Sequence, residues 1–250
     1  MKYAFACLGL LFLPLLTFCQ SPDFPLLSEK GRARVVDDIL EDRLDNLLPT
    51  LMEREGLDMW ILISREYNED PVMKTMLPST WLSARRRTIL VFSRDAASGE
   101  VDKIAIARYS VGKLLRGEWN VDVYPDQWEA LMSIIRKKDP ASIGLNYSRD
   151  FALADGLVKT EYKTFMEKLP EEYHARVRSA ERLAIAWLET RSEKELEIYP
   201  MICRMGHTIL QEGLSEKYIH PGITTTGEVE WALRQLVRNY GLDTWFHPSV

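Results

Sequence analysis

Cysteine, glycine and proline are all scarce in this chain, and each scarcity excludes a class of protein. The 250 residues include 3 Cys, 13 Gly and 12 Pro. Three cysteines cannot hold together a disulfide-dense fold, and so few glycines and prolines exclude collagen-like and low-complexity chains. The hydrophobic content of 46% is that of an ordinary globular protein, with enough chain for one large domain or for one domain and part of another.

Positive charge is not in excess either. The chain has 32 Lys and Arg against 37 Asp and Glu, a net charge of -5. A protein that coats nucleic acid needs a concentrated positive face, so we expect no nucleic-acid partner.

Common catalytic signatures are also missing from the sequence. It contains no Gly-x-Ser-x-Gly, Gly-x-x-x-x-Gly-Lys, Gly-x-Gly-x-x-Gly, His-Glu-x-x-His or Cys-x-x-Cys motif. The residues by themselves therefore support no catalytic assignment.

The first 19 residues have the pattern of a cleaved export signal. Lys2 supplies a positive start, an apolar run follows, and Thr17 and Cys19 are small enough to precede a cleavage site. The apolar run is too short for a membrane-spanning helix. We therefore expect an exported protein, periplasmic or secreted, with no integral membrane segment after cleavage. A lipid-modified Cys19 and a retained anchor are the alternatives.

Cleavage after Cys19 leaves Cys203 as the remaining cysteine. Its position on an apolar helical stripe predicts a small buried side chain rather than a nucleophile.

Residues 20–180 alternate between helical and strand patterns. The main predicted elements are a helix over 31–55, a strand over 59–63 that is apolar on both faces, and an antiparallel hairpin of 88–92 with 103–107. Further predictions are an extended stretch at 121–124, a helix at 126–137, a strand at 142–146, a helix at 160–169 and a strand at 176–178. This mixture predicts an α/β domain on a mixed sheet.

Residues 181–250 are predominantly helical in pattern. Ser192 with Glu195 and Thr225 with Glu228 form two capping boxes, each followed by an apolar helical stripe. An extended segment is predicted at 244–246. Two helices and one short strand cannot bury their own apolar faces, so we interpret this region as the beginning of a second domain.

A run of arginines, Arg85, Arg86 and Arg87, precedes one of the predicted strands. It can be interpreted as a clamp for an anion or carboxylate, or as a solvated strand entrance. We favour the solvated entrance because no aromatic residues are interleaved with the arginines.

Three segments carry a resemblance to a known family. Residues 187–196, Trp-Leu-Glu-Thr-Arg-Ser-Glu-Lys-Glu-Leu, resemble the start of the first long helix in the pita-bread catalytic domain of the M24 metallopeptidases. That family includes Xaa-Pro aminopeptidases, prolidases and creatinase. Residues 220–225, His-Pro-Gly-Ile-Thr-Thr, resemble the turn between its first two helices. Residues 241–250 are similar to the strand that begins its sheet, and the α/β region resembles the creatinase-type N-terminal domain.

The resemblance implies a domain organisation and a function. The domains would be a signal peptide over 1–19, a creatinase-type α/β domain over 20–180, and the truncated start of the pita-bread domain over 181–250. The chain would be the N-terminal portion of an exported metallopeptidase that, when complete, hydrolyses N-terminal Xaa-Pro or similar bonds. Its partners would be a peptide substrate and a second copy in a homodimer. A non-enzymatic binding or dimerisation module and a creatinase-like non-peptidase hydrolase are the alternatives.

The resemblance also implies cofactors and one candidate site residue. Enzymes of this family hold two divalent metal ions, manganese or else cobalt or zinc, through two Asp, one His and two Glu, the first of them after a Gly-Asp turn. No glycine in this chain is followed by aspartate. We therefore expect the metal site beyond Val250 and neither bound metal nor activity in this segment alone. His247-Pro248-Ser249-Val250 is similar to a creatinase segment whose histidine contacts substrate, so His247 is the candidate catalytic residue. A structural role at a strand entrance is the alternative.

Overall fold

The structure, a computed structural model, describes residues 26–81 and 83–250. The predicted export signal over 1–19 lies outside the described residues. The chain divides into two compact units, of which one is Leu27–Pro200 and the other includes Met201–Val250. Along the described chain, no helix combines the length and the apolar content that crossing a bilayer requires.

The helices and strands of the described chain have the following bounds. The helices are α1 Glu29–Asp42, a π-helical segment Arg43–Leu47, α2 Leu48–Glu55, α3 Pro71–Lys74, α4 Gln127–Lys138, the 3₁₀ turn Ala152–Ala154, α5 Lys159–Lys168, α6 Glu171–His174, α7 Glu181–Glu189, α8 Glu193–Gly213 and α9 Thr226–Asn239. The strands are β1 Met59–Arg65, β2 Arg87–Arg94, β3 Val101–Ala105, β4 Arg116–Gly117, β5 Ile143–Leu145 and β6 Val177–Ser179.

The strands of the first unit form one six-stranded mixed sheet in the order β4-β3-β2-β1-β5-β6. β1 pairs antiparallel with β2 and parallel with β5, so it lies inside the sheet, as the sequence predicts. The predicted hairpin is confirmed, because β2 and β3 pair antiparallel across a short turn. The predicted α/β fold on a mixed sheet is therefore confirmed.

The apolar run of β1 is continuous because both faces of the sheet are covered. Trp60 and Leu62 belong to a core shared with α2 and α7. Met59, Ile61 and Ile63 belong to a second core shared with α4 and α5. Successive side chains of a strand point to opposite faces, so a strand buried on both sides has no polar position to alternate with.

The predicted helix over 31–55 is confirmed as α1, the π-helical segment and α2 in succession. It ends at Gly56, whose φ of 65° is a left-handed conformation that glycine adopts without steric cost. The helices predicted at 126–137 and 160–169 are confirmed as α4 and α5, and the strands at 142–146 and 176–178 as β5 and β6.

The extended stretch predicted at 121–124 is wrong, because these residues form a turn. The backbone N–H groups of Val123 and Tyr124 both donate to the carbonyl oxygen of Asn120, at 3.2 and 2.9 Å. The Asn120 side chain accepts the N–H of Asp122 at 3.0 Å. An asparagine that bonds the backbone two residues ahead favours a turn over a strand.

The division between the units falls within α8, after Pro200. Proline has no N–H to donate, so the helical hydrogen-bond ladder is interrupted there. α7 lies in the first unit, where Leu183, Ala184 and Trp187 join the core beneath α2. The predicted domain boundary at residue 180, where the sequence pattern becomes predominantly helical, stays a prediction.

In the second unit, the later part of α8 packs against α9 around Ile209, Val229, Leu233 and Leu236. A Cβ atom at Gly213 would lie 2.4 Å from Cδ2 of Leu233, so a larger residue there would require the Leu233 side chain to move.

Both predicted capping boxes are present. Glu228 donates its N–H to Oγ1 of Thr225 at 3.3 Å, and Thr225 donates its N–H to Oε2 of Glu228 at 2.7 Å. Ser192 donates its N–H to Oε2 of Glu195 at 2.8 Å, and Glu195 donates its N–H to Oγ of Ser192 at 3.4 Å. These reciprocal bonds begin α9 and α8.

The extended segment predicted at 244–246, which the resemblance interprets as the start of a strand, is wrong. Trp245 and Phe246 form a bend and are exposed. A strand needs a neighbour to pair with, and the described residues of the second unit include no strand.

Candidate functional site

His247, the candidate catalytic residue, lies in the second unit, on the segment that follows α9. It is exposed and lines a concavity of about 230 Å³ together with Arg234, Arg238, Asp243 and Thr244. α9 supplies the two arginines one turn apart, and the turn after Gly241 brings the other residues alongside them.

The charged groups around this concavity differ in how they are engaged. Nη1 of Arg238 lies 2.5 Å from Oδ1 of Asp243, an exposed ion pair. The guanidinium of Arg234 stacks over the Trp231 ring at 4.6 Å, and its buried Nε has no hydrogen-bond partner among the described residues. An exposed imidazole beside a guanidinium can contact a carbonyl or carboxylate of a ligand. The substrate-contacting role of His247 stays a prediction.

The second unit also leaves one side of α8 uncovered. Cys203 is exposed, so its predicted burial is wrong. α9 packs against the side of α8 that carries Ile209 and Gly213, whereas Ile202, Leu210 and Leu214 remain exposed with Cys203. The apolar stripe is present, but nothing among the described residues of this unit covers it.

Metal-ligating residues do not come together in the described chain. Within residues 26–81 and 83–250, no three or more His, Cys, Asp or Glu side chains are close enough to hold a metal ion. The residues present therefore do not fit the dinuclear centre that the resemblance implies, and no metal-dependent step is assigned to them.

A buried carboxylate in the first unit has its hydrogen bonds satisfied within the fold. Oδ1 of Asp70 accepts the N–H groups of Val72 and Met73 at 2.7 and 3.1 Å, which begins α3. Oδ2 accepts Nδ2 of Asn146 at 2.9 Å, and the Asn146 oxygen in turn accepts Nε1 of Trp60 at 2.7 Å. Burial raises the pKa of Asp70, and the three donors oppose that rise. This network ties α3 to the sheet and presents no free group to a ligand.

The arginine run lies beside a concavity of about 690 Å³ in the first unit. Arg85 and Arg86 are exposed, whereas Arg87 begins β2 and donates from Nε to Oε2 of Glu161 at 2.7 Å. The aromatic side chains that line the same space come from elsewhere in the chain; they are Trp81, Tyr109 and Trp119. Sequence reasoning missed them because they are not interleaved with the arginines.

Comparison with solved structures gives a structural likeness. No family model matches this chain. No curated protein matches its sequence. The structure of an Xaa-Pro dipeptidase from Bacillus anthracis is similar to it with a TM-score of 0.44 and 13% sequence identity, over 81% of this chain and 49% of that one. The chain thus spans about half the length of that dipeptidase.

Proposed function

We propose that this chain is the N-terminal portion of an exported M24-type metallopeptidase. When complete, the enzyme would hydrolyse N-terminal Xaa-Pro or similar peptide bonds. Its two divalent metal ions, manganese or else cobalt or zinc, would be bound by residues beyond Val250. Two observations support the proposal, in addition to the sequence resemblance.

The observation that carries the proposal is the uncovered apolar surface of the second unit. Trp245, Phe246, Ile223 and Trp231 are 84%, 78%, 79% and 67% exposed. Large apolar side chains left exposed in this way are typical of a place where another surface packs. The remainder of a pita-bread domain, following in the same chain, would cover this surface.

The order of the elements also supports the proposal. A mixed-sheet α/β unit comes first, and two capped helices follow it. The helices begin at the two capping boxes, in the segments that resemble the M24 family. In the complete enzyme the α/β unit would restrict access to the active site and contribute to a homodimer, so that short peptides enter and folded proteins do not.

The first test is the coding sequence beyond Val250 and the activity of its full product. We expect a Gly-Asp turn, then further Asp, His and Glu residues, and manganese-dependent release of the N-terminal residue from Xaa-Pro peptides. The 250-residue chain alone should be inactive and show no tight manganese binding by isothermal titration calorimetry. Two tight sites in the 250-residue chain would overturn the proposal. A stop codon after Val250 would favour the binding or dimerisation module, and loss of ligands downstream would favour a creatinase-like hydrolase.

The second test addresses His247 in the full product. If the imidazole contacts the reacting part of the substrate, His247→Ala should lower kcat by about a hundredfold, within the range for a side chain that assists the reaction. The melting temperature should stay the same because the side chain is exposed. His207→Ala, an exposed histidine on α8, is the matched control and should leave kcat unchanged. Equal kcat values for both variants would remove His247 from the proposed site.

A further inference from the structure

The concavity beside the arginine run lies at one end of the sheet of the first unit. β2 begins there and the antiparallel β3 ends there, since Leu90 pairs with Ala105. α4 also begins there, held by Gln127, whose side-chain amide donates to the carbonyl oxygen of Ile106 at 2.7 Å. The walls are therefore parts of the sheet and of a capped helix, which gives the space of about 690 Å³ a fixed frame.

Three guanidinium groups at this concavity have no acidic partner among the described residues. Arg85, Arg86 and Arg108 line it and are exposed. No carboxylate of the described residues lies within 4.0 Å of their guanidinium nitrogens, whereas the neighbouring arginines of β1 and β2 are paired with acids. Their charge is thus available to a ligand.

The two carboxylates that line the concavity are already engaged. Oε2 of Glu66 accepts the backbone N–H of Arg86 at 3.2 Å. Asp126 accepts the N–H of Trp128 at 3.2 Å as the N-cap of α4, and its carboxylate lies 3.6 Å from Nζ of Lys168. Neither of them pairs with Arg85 or Arg108, so the local excess of positive charge remains.

Arg86 adopts a left-handed backbone conformation that residues other than glycine seldom take. Its φ is 50°, and it is held there because its carbonyl oxygen accepts the N–H of Glu66 at 2.7 Å. A non-glycine residue in the left-handed region is strained, and such strain concentrates at functional sites. Glycine would fit this backbone conformation with less strain, and no ion pair within the described residues accounts for an arginine here.

Aromatic rings lie beside these guanidinium groups. The Trp81 and Tyr109 rings are 6.1 Å apart at 43° to each other. The guanidinium of Arg108 lies 5.3 Å from the Trp119 ring, which is fixed because its Nε1 donates to the carbonyl oxygen of Tyr124 at 2.8 Å. Flat rings stack on indoles and phenols, and guanidinium forks bind carboxylate and phosphate through paired hydrogen bonds.

We propose that this concavity binds a small organic anion that combines a flat ring with a carboxylate or phosphate group. Arg85, Arg86 and Arg108 bind the oxyanion, and Trp81, Tyr109 and Trp119 contact the ring. The site lies entirely within the first unit, so it does not depend on the proposed peptidase activity.

Isothermal titration calorimetry of the whole chain tests the proposal with four probes. Indole-3-acetate and adenosine 5′-monophosphate carry a ring with a carboxylate or a phosphate; indole-3-acetamide lacks the charge and inorganic phosphate lacks the ring. We expect one of the two ring-bearing anions to bind at least tenfold more tightly than both indole-3-acetamide and inorganic phosphate. The tighter of the two shows whether the site prefers a carboxylate or a phosphate. Absence of binding by both, or equal affinity for the amide, would overturn the proposal.

Two variants locate the binding. Arg86→Gly should weaken the better probe about tenfold, as expected for the loss of one charge-assisted contact, without lowering the melting temperature, because glycine relieves the left-handed strain. Arg108→Gln should weaken it similarly and serves as the second variant should Arg86→Gly fail to fold. Arg136→Gln, an exposed arginine on α4 outside the concavity, is the matched control. Unchanged affinity in both test variants, or an equal loss in the control, would refute the assignment.

Discussion

The two units of this chain bury their apolar side chains to very different degrees. In Leu27–Pro200 both faces of the sheet are covered by helices, and tryptophans such as Trp60 and Trp187 are fully buried. In Met201–Val250 one small cluster joins α8 and α9, while Trp231, Trp245 and Phe246 lie at the surface. The first unit therefore has a hydrophobic core of its own, whereas the described residues of the second unit bury one small cluster.

A matched pair of tryptophan variants tests this contrast, with the largest effect expected in the first unit. Trp60→Ala should lower the free energy of unfolding by about 3–5 kcal/mol, because it opens a cavity in the core and leaves Asn146 without its indole donor. Trp231→Ala should cost less than about 1 kcal/mol, since the ring is exposed and its cation–π contact is with the flexible Arg234 side chain. Urea unfolding followed by circular dichroism measures both. Losses of similar size would contradict the contrast between the units.

The next effect concerns Arg43, which joins the helices within the first unit. Its guanidinium donates to the carbonyl oxygens of Thr190, at 2.7 Å, and Trp187, pairs with Glu195, and lies 4.3 Å from the Trp187 ring. Arg43→Ala should lower the free energy of unfolding by about 3 kcal/mol, because the Glu195 carboxylate loses its cationic partner and two carbonyl oxygens lose the guanidinium donor.

Arg34→Ala is the control for this variant. Arg34 is an exposed arginine of α1 with no ion pair among the described residues, and its replacement should leave unfolding unchanged. If Arg43→Ala and Arg34→Ala have the same free energy of unfolding, the polar contacts at the end of α7 do not stabilise the first unit.

A smaller effect is expected at the buried Asp70 network. Asp70→Asn should lower the free energy of unfolding by about 1–3 kcal/mol. The new amide would point an N–H group either at the backbone N–H groups of Val72 and Met73 or at the side-chain amide of Asn146, and donors cannot bond to donors.

The effect of Asp70 should also depend on pH. Burial raises its pKa above the ordinary value of 3.8, so the native state binds this proton more readily than the unfolded state. The stabilising contribution of the protonated form is complete below pH 3.8 and is lost as pH rises through the raised native pKa. Wild type should therefore gain stability relative to Asp70→Asn as pH falls through that window, in urea titrations at matched pH. A difference that is constant with pH would contradict the raised pKa.

The smallest structural effect is expected at Cys203, in the uncovered part of the second unit. Because the thiol is exposed, Cys203→Ser should leave unfolding unchanged and should remove one thiol that reacts with Ellman's reagent under native conditions. In the full gene product the proposed remainder of the domain should slow that reaction. Equal thiol reactivity in the two proteins would mean that this side of α8 stays open.

Much of the first unit was predictable because its signals are local. The buried strand β1, the β2–β3 hairpin, α4 and α5 follow from apolar periodicity and turn residues within a few positions. The stretch at 121–124 failed because the Asn120 side chain competes with strand pairing, which periodicity alone does not weigh.

The candidate sites were less predictable because they combine residues distant in sequence. The arginine run alone favours a solvated strand entrance over an anion clamp, because Tyr109 and Trp119 reach the same concavity only through the pairing of β2 with β3. His247 was found by resemblance, and the structure adds the arginines of α9 beside it.

The sequence by itself determined where the main helices begin and end, since Gly56, the two capping boxes and the apolar repeats act over one or two turns. Only the tertiary structure decided which side chains are covered. The exposure of Cys203, the burial of Asp70 and the contacts of Arg43 with residues about 150 positions away depend on which elements meet. Burial is a property of the packed neighbours of a side chain, and a periodic stripe specifies a face without specifying what packs against it.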